Sequence, residues 1–220
     1  MHRPLAVLVA LCLTAAVACG DPDAETGASG TTTSSTPPAP ETTAPAPTTT
    51  TTTAERELTD RSHLRLDGIG PVRIGMTPEE ATRAVGREVA VDERSLLHDA
   101  ESVCGFAEVS GGPAGLGFMV LRADPGSEWR IYRIDVFEEG RIATGGGIRI
   151  GSTEDQVKLV YGEELKVEPH HYTGPEGHYL VLDVDGEGTG FMLLFETDGA
   201  KVTQFRSGND EAVGYVEGCA

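Results

Sequence analysis

Two stretches of this chain are near copies: VRIGMTPEEATRAVG at residues 72–86 and IRIGSTEDQVKLVYG at residues 148–162. Gly75, Thr77 and Gly86 recur as Gly151, Thr153 and Gly162, each 76 positions later. Such a repeat constrains the fold strongly, because the same local rules must be met twice. Thr77 and Thr153 read as helix N-caps, and Glu80 and Gln156, three residues on, complete capping boxes by reaching back to the cap's backbone amide. Pro78 presets φ at the first helical position. Ala81, Ala84 and Val85, matched by Val157, Val160 and Tyr161, follow the i, i+3, i+4 spacing of one buried stripe. Gly86 and Gly162 stand where left-handed C-caps are expected. Ser152 replaces Met76, so the second copy is expected to lack the apolar staple contact that Met76 could make with Ala81.

What each helix covers follows it in the chain. CGFAEVSGGPAGLGFMVLR at residues 104–122 and HYLVLDVDGEGTGFMLLFE at residues 178–196 read as antiparallel hairpins with Gly-rich turns. Gly115, Gly117, Phe118, Met119 and Leu121 recur 73 positions later as Gly188, Gly190, Phe191, Met192 and Leu194. A further strand follows each hairpin, from Trp129 and from Ala200. The expected fold class is therefore α+β, two tandem units, each a short helix packed on an antiparallel meander of three or four strands. Residues 57–144 hold the first unit and residues 145–220 the second.

The N-terminus reads MHRPLAVLVALCLTAAVACG. One Arg and an apolar run too short to span a bilayer mark residues 1–18 as a signal peptide. Ala16-Val17-Ala18 followed by Cys19 resembles a lipobox, where bacterial lipoproteins are acylated on cysteine. Ala16 stands where that motif carries Leu. Ordinary secretion is the alternative, since Ala-Val-Ala also suits the general signal peptidase. The expected location is the extracytoplasmic face of the cell membrane. Residues 19–56 are a lipidated N-terminus and a Thr/Pro-rich linker with no large apolar side chain to bury. At about 3 Å per residue that linker reaches on the order of 100 Å, and its composition is one that is often O-glycosylated.

Residues 57–220 hold 30 of the 35 Asp and Glu but 15 of the 17 Lys and Arg, a formal charge of −15. Phosphate binding needs clustered cations, so no nucleic-acid partner is expected. Arg outnumbers Lys, and Ala, Gly, Val and Asp are plentiful, a composition that resembles actinobacterial proteins. Cys12 leaves with the signal peptide and Cys19 is the lipidation site, so Cys104 and Cys219 are the pair expected to bond after export. A loop of that length lets the bridge contribute on the order of 4–5 kcal/mol. Two buried free thiols are the alternative.

A short strand, Gly-Met-Thr, an acidic capped helix, a Gly and antiparallel strands together resemble the superfamily of β-lactamase inhibitory protein and the SmpA/OmlA (BamE-like) envelope lipoproteins. In the inhibitor such a unit is tandemly duplicated. The resemblance runs from about Gly68 to the C-terminus and implies a second helix per unit, which residues 94–100 could supply. In the second copy that place is taken by EPHHYTGPEG.

No catalytic constellation emerges. DVDGEGTG at residues 183–190 lacks the acidic twelfth ligand of a calcium loop, because Leu194 stands there; Asp185-Gly186 reads as a hairpin turn. His170, His171 and His178 have no Cys or Glu-rich helix to complete a metal set. The glycines of GGGIRIG at residues 145–151 precede the short strand, where a dinucleotide fingerprint needs them after it. Neither G-x-S-x-G nor H-E-x-x-H occurs. Trp129, Arg130, Tyr132 and Arg133 are types enriched at binding hot spots, although strand alternation buries two of the four. The expectation is a non-enzymatic, lipid-anchored binding or scaffolding module for an envelope protein, with no metal and no cofactor. A secreted-enzyme inhibitor is the alternative, and an extracytoplasmic enzyme a third.

Overall fold

The computed structural model describes residues 57–96, 101–183 and 190–219. The signal peptide, Cys19, the linker and the Asp185-Gly186 turn lie outside the described residues. Helices α1 (Pro78–Val85) and α2 (Glu154–Tyr161) begin with the same chemistry. Thr77 Oγ1 accepts from the Glu80 amide at 3.2 Å, and Glu80 Oε2 accepts from the Thr77 amide at 2.9 Å. Thr153 and Gln156 repeat these two bonds at 3.2 and 2.9 Å. Each box satisfies first-turn amides that the helix itself cannot. The residues before each cap are anchored alike. The Gly75 amide donates to the Ile131 carbonyl at 2.7 Å, and the Met76 carbonyl accepts from the Ile131 amide at 2.8 Å. Gly151 and Ser152 make the same pair of bonds with Val202, both at 2.8 Å.

The copies then part. Gly86 is a left-handed C-cap with φ 70° and ψ 16°, but Gly162 has φ 68° and ψ −146° and leads α2 into a 3-10 turn, Gly162–Glu164. Ala81 and Val85 are buried under α1 as the stripe requires, and Ala84 is half-buried. On α2 the expected stripe fails at Val160, which is 43% exposed. Glu154 takes a buried place one turn before Val157, and Tyr161 is half-buried one turn after it. Ser152 has a role of its own: its Oγ accepts the Arg149 amide at 3.1 Å, as Met76 Sδ accepts the Arg73 amide at 3.4 Å.

The large sheet has eight strands: β4 (Val89–Val91), β5 (Cys104–Val109), β6 (Leu116–Leu121), β7 (Arg130–Val136), β9 (Leu165–Pro169), β10 (His178–Asp183), β11 (Phe191–Thr197) and β12 (Val202–Asn209). Their order is β4-β5-β6-β7-β12-β11-β10-β9, and every neighbouring pair is antiparallel. Each helix is thus followed by a meander of four strands. The meanders join where β7 meets β12, with Phe205 opposite Val136 and Gly208 opposite Arg133. A Cβ on Gly208 would stand 2.2 Å from the Tyr132 carbonyl oxygen, so only glycine lets the backbones approach there. Residues 94–100 do not supply a helix where they are described: Glu93–Ser95 is a single 3-10 turn capped by Asp92.

The short strand expected before Gly75-Met76-Thr77 belongs to a second, small sheet, whose other strands were not expected. That sheet orders β3 (Val72–Arg73), β2 (Gly68–Ile69), β1 (His63–Arg65) and β8 (Ala143–Thr144), with β8 parallel to β1. Ser207 Oγ, on β12, donates to the Arg65 carbonyl at 2.8 Å and ties the two sheets together. One continuous core lies between the large sheet and a layer made of the small sheet, α1 and α2. Phe118, Ile134, Phe195 and Phe205 meet Leu64, Ile69, Ala81 and Val157 there, all essentially inaccessible. Burying one such large side chain contributes about 1.5–3 kcal/mol.

Candidate functional site

The other face of the large sheet carries residues 210–219. A bulge opposite Met119 and Val120 breaks the alternation of β7, so Ile131 and Ile134 both enter the core while Arg133 and Asp135 face away from it. Asn209 closes β12 and caps α3 (Asp210–Gly214), accepting the Ala212 amide on its Oδ1 at 3.4 Å. Val213 packs into a second apolar cluster with Tyr179, Val181, Met192 and Leu194. The carbonyls at the end of α3 then meet two buried guanidiniums. Arg133 Nη1 donates to the Ala212 and Tyr215 carbonyls, each at 2.8 Å, and Arg206 Nε donates to the Val213 carbonyl at 2.8 Å. Cations suit carbonyls at a helix C-terminus, and here they add to the amide bonds from Tyr215 to the Ala212 carbonyl and from Gly218 to the Tyr215 carbonyl, both at 3.3 Å.

The counter-charges lie on the same strands. Arg133 Nε stands 3.0 Å from the Asp135 carboxylate, and Arg206 Nη1 is hydrogen-bonded to Glu196. Burial pushes the Asp135 carboxyl up, against the pull of Arg133, and lowers the Arg133 guanidinium. Burial would also raise Glu196, but the Arg206 charge and its hydrogen bond outweigh it and hold that carboxyl below its ordinary value. His170 stacks on Tyr179 at 4.4 Å, and its Nδ1 accepts the Tyr172 and Thr173 amides at 3.1 and 3.3 Å. The proton is therefore on Nε2, which donates to Glu196 at 3.1 Å.

Beyond α3 the last residues run as a strap to Cys219, bonded to Cys104 on β5 with an S–S length of 2.03 Å. A groove of about 600 Å³ opens beside the strap, lined by Val103, Cys104, His171, Tyr215, Val216 and Glu217 among others. Val103, Tyr215 and Val216 expose apolar surface there. Tyr172 Oη donates to Glu217 Oε1 at 2.6 Å, and Tyr215 Oη donates to Glu211 Oε1 at 2.8 Å. The first bond pushes the Tyr172 phenol up to about 12, and the second raises Tyr215.

A separate cluster sits at the start of α2. Glu154 accepts from Thr197 Oγ1 at 2.6 Å and from Lys158 Nζ at 3.2 Å, and its Oε1 lies 2.7 Å from His178 Nδ1. Burial opposes its charge, but these hydrogen bonds hold the Glu154 carboxyl below its ordinary value. A nucleophile relay places His between hydroxyl and acid. Here both His178 and Thr197 address the same carboxylate, which suits a structural junction.

The four hot-spot candidates do not converge. Arg133, 3% exposed, is committed to α3 and Asp135. Trp129 packs against the main core with the Arg122 guanidinium 4.3 Å above its ring. Arg130 donates to the Gly75 carbonyl at 2.9 Å and pairs with Glu128. Tyr132 is half-buried at the bulge. The groove was missed because its walls come from three distant segments, and the one local signal for it is the Tyr-Val-Glu-Gly run that leads into Cys219. Among the described residues no group of three or more His, Cys, Asp or Glu could hold a metal, and no helix is long and apolar enough to cross a membrane. No family model, curated protein or solved structure matches this chain.

Proposed function

We propose that the chain is a lipid-anchored protein of the extracytoplasmic membrane face that works by binding an envelope protein, without catalysis. The observation that carries this reading is the groove beside the cross-linked strap. Its walls are held by a disulfide, two guanidiniums and a Tyr172–Glu217 hydrogen bond, so little ordering remains to be lost when a partner enters. Cys19 supplies the anchor and residues 20–56 the tether. The described fold is tandem in origin, two helix-and-meander units fused at β7 and β12. The mirrored strand order and the twice-used anchoring of the cap support that reading, and with it the relation to β-lactamase inhibitory protein and the BamE-like lipoproteins.

Crosslinking of intact cells followed by capture of the tagged chain tests the binding reading. A single enriched envelope protein, lost when Cys19→Ala releases the chain from the membrane, is the expected result. No enriched partner would overturn it.

A further inference from the structure

We infer that the groove beside the strap receives a basic, partly apolar peptide segment, in which one Lys or Arg side chain is flanked by aliphatic or aromatic residues. The inference rests on the binding reading and names the chemistry of the partner at that site. Three features of the groove select such an occupant. Its exposed wall is apolar, through Val103, Tyr215 and Val216, so contact with it removes apolar surface from water. Set in that wall is the Glu217 carboxylate. Tyr172 holds its Oε1, and its Oε2 has no hydrogen-bond partner among the described residues. A purely apolar occupant would strip water from this oxygen and leave it unpaired, and an anionic one would add repulsion. Only an occupant that carries a donor, best a cation, covers the apolar wall and satisfies Glu217 together.

The rings beside the carboxylates extend the selection. His171 and Tyr215 line the groove, and Tyr172 meets His171 edge-on at 4.8 Å. The phenols of Tyr172 and Tyr215 each donate to a carboxylate, Glu217 and Glu211, so the positive end of each phenol is neutralised and the ring faces are left attractive to a cation. No Lys or Arg is among the residues that line the groove, so nothing there competes for Glu217. The charge of −15 on residues 57–220 draws a basic segment in from a distance. Arg is the stronger form of the cation, because its planar fork meets Glu217 and a Tyr ring at once.

The experiment uses the full chain in detergent and labelled short peptides: one with Arg among Leu and Tyr, the same peptide with Glu for Arg, and tetraethylammonium as competitor. The Arg peptide is expected to bind, more weakly as salt rises from low to physiological, and the Glu peptide not to bind. Glu217→Gln keeps an acceptor for Tyr172 and removes the charge; it should weaken the Arg peptide by about tenfold or more with an unchanged melting temperature. Tyr215→Phe, which keeps the ring, should bind within about twofold of the parent, whereas Tyr215→Ala should not. Failure of the Arg peptide to bind, equal binding of the Glu peptide, or indifference to Glu217→Gln would overturn the inference. Competition by tetraethylammonium at the peptide's own concentration would overturn the assignment of a peptide. Repeating the cell crosslinking with Glu217→Gln separates the two readings. A partner captured equally by both chains overturns the groove assignment and leaves the binding reading standing, whereas no partner for the parent overturns the binding reading.

Discussion

The caps of α1 and α2 match: a Thr cap, a reciprocal Glu or Gln, and a Gly whose backbone is pinned to the meander that follows. What the two helices bury differs: α1 turns Ala81 and Val85 into the core, while α2 turns in its first residue, Glu154, beside Val157 and leaves Leu159 85% exposed. The cap is a local device that needs only four residues, so it survives in both places. The buried stripe is set by what lies beneath it. Under α2 the neighbouring strands present His178 and Thr197, and Lys158 reaches back along the helix, so a carboxylate there meets donors on three sides. A buried charge so paired is tolerated, and the same charge without partners is not.

The largest way to break this comparison is Val157→Asp. Val157 is wholly inaccessible and lies one turn from Glu154, but it belongs to the apolar cluster, where no donor awaits. The substitution should cost at least about 3 kcal/mol, the scale of an uncompensated buried charge. Denaturant midpoints measure it, and a loss below about 1 kcal/mol would show that the two sides of α2 are equally able to hold a carboxylate.

Reduction of the Cys104–Cys219 bond comes next, because it links β5 on one side of the seam to the end of the strap. Cys219→Ser should cost about 2–5 kcal/mol. Thermal melts with and without reductant measure this; a parent transition that reductant leaves in place would remove the bond from the energetics. Acid should come third. Glu154 and Glu196 both titrate below their ordinary values, so their contribution is present above the ordinary carboxylate pKa and is lost as pH falls from there toward the lowered folded values. Glu154→Gln should flatten that part of the stability-against-pH curve and cost on the order of 1–2 kcal/mol at neutral pH. An acid limb unchanged by the substitution would mean that the junction under α2 contributes nothing.

Helices, hairpins and the disulfide pair were legible because each is announced within a few residues or by elimination among cysteines. Thr77 and Glu80 are three apart, Phe118 and Phe191 recur at one offset, and Cys104 had one partner left. The rest was written at long range. Glu154 reads as an exposed first-turn acid until His178, 24 positions on, and Thr197, 43 positions on, are brought beneath it. Which of the four hot-spot types is buried could not be read, because the bulge at Tyr132, which turns Arg133 away from the core and toward α3, has no signature in Arg-Ile-Tyr-Arg-Ile-Asp. The other strands of the small sheet escaped because strands of two or three residues carry no period. The groove depends on both the bridge and the fold of residues 170–173, so its walls become neighbours only when the whole sheet is assembled.

The smallest effect sharpens the comparison most. Thr77→Ala and Thr153→Ala each remove one side-chain acceptor from a first-turn amide and should each cost about 1 kcal/mol. Because the two boxes have matching geometry, 3.2 and 2.9 Å in both, the two costs should agree within about 0.5 kcal/mol despite the different stripes below. The caps are far apart in sequence and share no partner, so the double variant should lose the sum. Chemical denaturation of the two single variants and the double measures all three quantities. If Thr153→Ala costs clearly more than Thr77→Ala, the Glu154 junction depends on the first turn of α2 being held, and the cap there positions the buried carboxylate as well as closing the helix. If neither costs anything, the first-turn amides are served by water, and the repeated Thr-x-x-Glu/Gln is not what fixes the start of either helix.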